Sequence, residues 1–69
     1  MTVKQKVSAA CEVAGISVTE LGAKMGMSQS SISKRLDTGK FTQEEFEKMA
    51  KILGCKYIFQ FEFPNGVRI

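Results

Sequence analysis

The sequence predicts a mainly α domain of four short helices followed by a C-terminal β-hairpin, an α+β arrangement within 69 residues. Three observations predict it. Apolar residues recur at helical spacing in two stretches, 3–14 and 46–53. Serine or threonine caps and glycine stops bracket the helical segments between and around them. After Gly54 the period drops from 3.6 to 2, the spacing of a strand. Residues 1–54 read as the helical domain and 55–69 as a hairpin that serves as a dimerisation element.

In the first helix, Val3, Val7, Ala10, Cys11 and Ala14 fall on one face, and Gly15 ends it. The second starts at a capping box, Ser17-Val18-Thr19-Glu20, with Ile16 and Leu21 in the two staple positions, and Gly26 stops it after barely two turns. Ser28 caps the third helix, whose inward residues are Ile32 and Leu36. The fourth repeats the start signal: Thr42-Gln43-Glu44-Glu45 is a capping box, Phe41 and Phe46 its staple pair. Phe46, Met49, Ala50 and Leu53 form its buried stripe, and Gly54 follows as a C′ residue. Tyr57, Phe59, Phe61 and Phe63 then alternate with Lys56, Ile58, Gln60 and Glu62, and Asn65-Gly66 is a strong hairpin-turn signal. The returning Val67, Arg68 and Ile69 cover only the end of that strand. The aromatic strand therefore either pairs with the same strand of a second chain in a two-fold dimer or packs on its own helices.

A chain of this length sits near the lower limit for folding without a staple. Two cysteines, Cys11 and Cys55, and no histidine cannot supply a four-ligand zinc site, and a buried reduced thiol is the simplest use of such residues. No secretory or membrane-spanning apolar run stands out, so the cytoplasm is the expected location, without membrane association. The net charge is +3. Lys24, Lys34, Arg35 and Lys40 face a single acid, Asp37, between residues 23 and 40, while the other charges balance. That local positive field favours phosphate, although chance clustering gives the same count.

Residues 21–33, Leu-Gly-Ala-Lys-Met-Gly-Met-Ser-Gln-Ser-Ser-Ile-Ser, resemble the helix-turn-helix of the Cro/repressor (XRE) type. The likeness spans residues 16–54 well and the first helix loosely. It implies a compact helical bundle that binds operator DNA as a dimer. The register has a physical cause. Two helices crossing steeply need a small residue where they touch, here Gly22 against Ile32, and the turn needs positive φ, supplied by Gly26. Leu21, Met25, Ile32 and Leu36 lock the pair onto the flanking helices.

The resemblance places the first residues of the third helix, Gln29, Ser30 and Ser33, against bases. A glutamine amide can bond adenine N6 and N7, and a serine can serve any base. Lys34 and Lys40 suit phosphate, as do backbone amides near Ser28 and in the Thr38-Gly39 loop. Arg35 flanks the core and either joins this set or pairs with an acid. The alternative for the serines is an ordinary solvated helix face. Two departures from the family stand out: Val18 stands where many members carry a phosphate-holding glutamine, and Leu36-Asp37-Thr38-Gly39 replaces a glutamate-x-glycine ending.

The expectation is a dimeric, sequence-specific repressor that inserts helix three, about residues 29–37, into the major groove of a palindromic operator. Its partner is double-stranded DNA; no cofactor, metal or small-molecule substrate is expected. Without histidine, a phosphate loop or paired carboxylates outside capping positions, an enzyme is not expected. The competing reading is a small phage or mobile-element interaction or inhibitor module. It would use the helix-turn-helix as scaffold and the aromatic strand, Tyr57, Phe59, Phe61 and Phe63, to bind a partner.

Overall fold

A computed structural model describes residues 1–69 and contains four helices: α1 (Val3–Ala14), α2 (Val18–Lys24), α3 (Gln29–Thr38) and α4 (Gln43–Leu53). Each starts on a hydroxyl residue in extended conformation. Thr2, Ser17, Ser28 and Thr42 accept from the amides of Gln5, Glu20, Ser31 and Glu45 respectively. The box at Thr42 is reciprocal, with the Glu45 carboxylate accepting from the Thr42 amide at 2.8 Å. At Ser17 only half of the expected box forms: the hydroxyl accepts from Glu20 at 3.0 Å, and the Glu20 carboxylate does not reach back. A second full box lies at Thr2 and Gln5, a Thr-x-x-Gln signal that the periodicity argument for the first helix passes over.

The core is small. Val7, Cys11, Leu21, Ile32, Leu36 and Met49 are buried together, one or more from every helix, and Val3, Ile16, Met25, Phe41, Phe46 and Leu53 pack around them. α2 lies at the centre of the bundle, touching α1, α3 and α4. Lys4 on α1 reaches Asp37 on α3 at 2.9 Å, an exposed pair that contributes little to stability. Cys11 is buried as expected, and burial pushes its thiol pKa up; Cys55 is exposed, because the segment holding it lies outside the core.

The C-terminal strand is not found. Residues 56–63 form no ladder, and a single antiparallel bridge joins Glu62 to Arg68. Phe61 exchanges two backbone hydrogen bonds with Ile69, at 2.7 and 2.9 Å, and the Phe63 amide donates to Val67. From Lys56 to Gln60 no backbone group has a partner, because the returning Val67–Ile69 lies opposite Phe61–Phe63 alone. The turn also differs from the Asn-Gly type. Asn65 does not have positive φ, so Pro64 and Asn65 occupy its centre and Gly66, at φ 88°, follows it. Proline at the first central position sets that choice, since its φ is fixed near −65°. All residues from Gly54 onward are exposed, and the molecule is elongated, 43 × 23 × 20 Å.

Candidate nucleic-acid interface

The α2–α3 corner is built on contact between Gly22 and Ile32. A Cβ at Gly22 would sit 2.8 Å from Cγ2 and 2.9 Å from Cβ of Ile32, so only glycine allows the two helices this approach. The turn is tied down by three amides: Met25 donates to the Leu21 and Gly22 carbonyls, Gly26 to Ala23, and Met27 to Gly22 at 2.8 Å. Gly26 adopts φ 78°, where a side chain would be strained. α3 therefore leaves the corner in a fixed direction, with Ile32 and Leu36 facing inward.

The outer face of α3 holds most of the predicted contact residues. Ser28, Gln29, Ser30, Ser31, Ser33, Lys34 and Asp37 are exposed, while Arg35 is half-buried. The Ser28 hydroxyl caps the helix and lies 3.0 and 3.3 Å from the hydroxyls of Ser31 and Ser30. Its role is thus structural first. No intrachain hydrogen bond holds the side chains of Gln29, Ser33 or Lys34, and the Gln29 and Ser30 amides, at the open end of the helix, have no partner in the chain. These unpaired N–H groups, together with the positive end of the helix dipole, form an anion-favouring tip. Lys24, Lys34 and Lys40 are exposed, and none joins an ion pair.

Thr38 and Lys40 lie apart from that tip, ten or more residues along, roughly 15 Å at 1.5 Å per residue. The Thr38 hydroxyl donates to the Arg35 carbonyl at 2.9 Å and accepts from the Lys40 amide at 3.3 Å. The Gly39 amide donates to Arg35. The loop amides expected to meet phosphate are therefore already engaged; the exposed Lys40 ammonium remains.

Arg35 resolves to the structural role. Its guanidinium donates to both Glu45 oxygens at 2.7 and 2.8 Å and to the Lys40 carbonyl at 3.1 and 3.2 Å, and it lies 4.7 Å from the Phe41 ring centroid. The Thr42 amide and then this guanidinium hold the Glu45 carboxyl below its ordinary pKa. Nothing local in the sequence marks a partner ten residues away; only the capping role of Glu45 was readable.

The four aromatic residues expected at a dimer contact divide. Tyr57 stacks on Phe46 of its own α4, centroids 4.9 Å apart and 4° from parallel. Phe59 and Phe61 meet edge to face at 5.2 Å. Phe59, Phe61 and Phe63 remain 60, 61 and 48% exposed. No helix is long and apolar enough to cross a membrane.

No curated protein and no solved structure matches the chain. A family model described as helix-turn-helix matches residues 8–59, from within α1 to the aromatic segment. That span covers the glycine corner, the capped α3 and the α4 that supports it, so the chain belongs to the helix-turn-helix family of the Cro/repressor (XRE) type, and is a DNA-binding regulator of that type.

Proposed function

We propose that the protein is a cytoplasmic, homodimeric repressor that reads a palindromic operator, each α3 entering a major groove. The observation that carries this reading is the free, exposed first half of α3. Gln29, Ser30 and Ser33 present amide and hydroxyl groups with no obligation to the core, and Lys34 follows one turn behind for phosphate. The reading assigns no catalytic group, cofactor or metal; Glu45 serves Thr42 and Arg35. The two half-sites are expected about 34 Å apart, one helical turn.

Selection of bound duplexes from a random library tests it. A palindromic consensus supports the proposal and no enrichment refutes it. Lys34→Glu is expected to abolish duplex binding with the fold retained. With three free lysines per copy, about six phosphate contacts per dimer give roughly a thousandfold loss of affinity between 50 and 200 mM salt. The exposed aromatic segment supports a second reading, capture of a foreign sheet edge. In that case Phe59→Lys abolishes function and Lys34→Glu is silent.

A further inference from the structure

The hydrogen bonds of the C-terminal segment decide which of its edges is free. Phe61 and Phe63 direct their backbone groups to Ile69 and Val67. Backbone polarity alternates along an extended chain, so Glu62, Gln60, Ile58 and Lys56 direct theirs to the opposite edge, where none has a partner. A second copy that pairs on this edge about a two-fold axis must use the same even-numbered residues. Each hydrogen-bonded pair then joins two even positions, and the axis passes through a residue rather than between two.

The registers this allows are few. Centred on Ile58, Lys56 faces Gln60; centred on Gln60, Ile58 faces Glu62. Centred on Phe59, Lys56 faces Glu62 twice, Tyr57 faces Phe61 twice, and Phe59 meets its own copy. Centred on Phe61, Gln60 faces Glu62. Aromatic residues face one another in several of these registers, but only the Phe59-centred one places opposite charges together. Glu62 is free to accept the contact, since its intrachain pair with Arg68 is long, 3.8 Å, and exposed.

We infer that residues 56–62 form an antiparallel strand with the same segment of a second copy, the two-fold axis passing through Phe59. The inference rests on the dimeric reading above and specifies its interface. It gives the unpaired backbone groups of Lys56, Ile58 and Gln60 partners and places the partner's Phe61 beside Tyr57. There it meets the mouth of an apolar groove of about 440 Å³ between α1, α4 and this segment, lined by Val7, Phe46, Met49 and Leu53 among others. Within the paired segment Ile58, Phe59 and Phe61 are 60–72% exposed. At roughly 200 Å² for an aromatic side chain, they leave on the order of 400 Å² of apolar surface per copy, the scale of a small interface to which the cross-strand backbone hydrogen bonds add.

The test uses the full chain with Cys55→Ser, which removes the one exposed thiol. Central residues of this register form a non-hydrogen-bonded pair with Cα atoms about 4.5 Å apart, compatible with a disulfide. Under mild oxidation Phe59→Cys is expected to yield covalent dimer, and Ile58→Cys and Gln60→Cys to yield little. Independently, Lys56→Glu and Glu62→Lys are each expected to weaken dimerisation about tenfold by sedimentation equilibrium, since each reverses two symmetric cross-strand pairs. The double variant is expected to recover to within about threefold of the parent. A dimer that cross-links through position 58 or 60, or that the double swap does not restore, overturns this register and leaves the dimeric reading standing. A chain that stays monomeric at about 100 μM, above a micromolar Kd, overturns both.

Discussion

Gly22→Ala tests the geometry that aims α3. The added methyl would stand 2.8 Å from Cγ2 and 2.9 Å from Cβ of Ile32, a β-branched residue with no exposed surface. Its χ1 is stiff and its Cβ is fixed to the α3 backbone, so the helices must separate. Overpacking of this kind costs about 1–3 kcal/mol, and two contacts under 3.0 Å place it in the upper half. The higher helix propensity of alanine offsets about 1 kcal/mol. The net expectation is a loss of about 1–2 kcal/mol, hence a melting temperature lower by about 5–15 °C for a domain of this size. Urea and thermal unfolding followed by circular dichroism at 222 nm measure it. In an Ile32→Ala background the Cγ atoms are gone while the Cβ contact at 2.9 Å remains, so the same change is expected to cost less than in the parent. A neutral or stabilising Gly22→Ala in the parent would refute the close-approach argument, because only its propensity gain would then remain.

Glu45→Gln is expected to destabilise the fold at pH 7 and progressively less below pH 4.5. The carboxyl, held below its ordinary pKa of 4.5 by the Thr42 amide and Arg35, gives a contribution that is complete above that value and lost as pH falls through the lower folded one; parallel urea titrations of parent and variant at pH 7 and pH 3 check the narrowing gap. A thiol reagent at neutral pH is expected to modify Cys55 at once and Cys11 only on unfolding, since Cys11 is 2% exposed and its pKa is raised; stoichiometry with and without denaturant reads this directly. Tyr57→Ala, which removes the stack on Phe46, is expected to widen the tolerance for half-site spacing more than it weakens binding to one half-site, as band-shift assays on operators with altered spacers would show.

What the sequence disclosed was local. Each helix start is a hydroxyl within three residues of the amide it caps, and each turn glycine acts on its own φ, so the four helices and the corner were legible. Gly22 against Ile32 was legible for a different reason: the ten-residue spacing is imposed by the turn between them. The pairings that escaped are those between elements. Arg35 with Glu45, Lys4 with Asp37 and Tyr57 with Phe46 join helix to helix or helix to tail, and no short-range pattern records them. Alternation alone over-predicts the strand, because it reports a face to be covered, whereas a ladder needs a second backbone. That backbone is present at Phe61–Phe63 and missing at Lys56–Gln60.

Those inter-element contacts bear on how a reader of two half-sites would hold its helices apart. Spacing between two recognition helices is fixed only as well as the path that joins them. Here the path is short and stacked. Arg35 on α3 lies over Phe41, Phe41 packs on Phe46 with centroids 5.5 Å apart, and Phe46 stacks on Tyr57 at the root of the tail. The bonds from Arg35 to Glu45 and the Lys40 carbonyl brace its first link against rotation. A flexible tail would join two copies yet leave their α3 helices free to drift. In the proposed dimer, a tail clamped through aromatic faces to the end of α3 would convert the position of the two-fold axis into the position of a helix. Arg35 faces inward in that path, and the proposed reading leaves the exposed Lys34 as the cation for phosphate beside the bases.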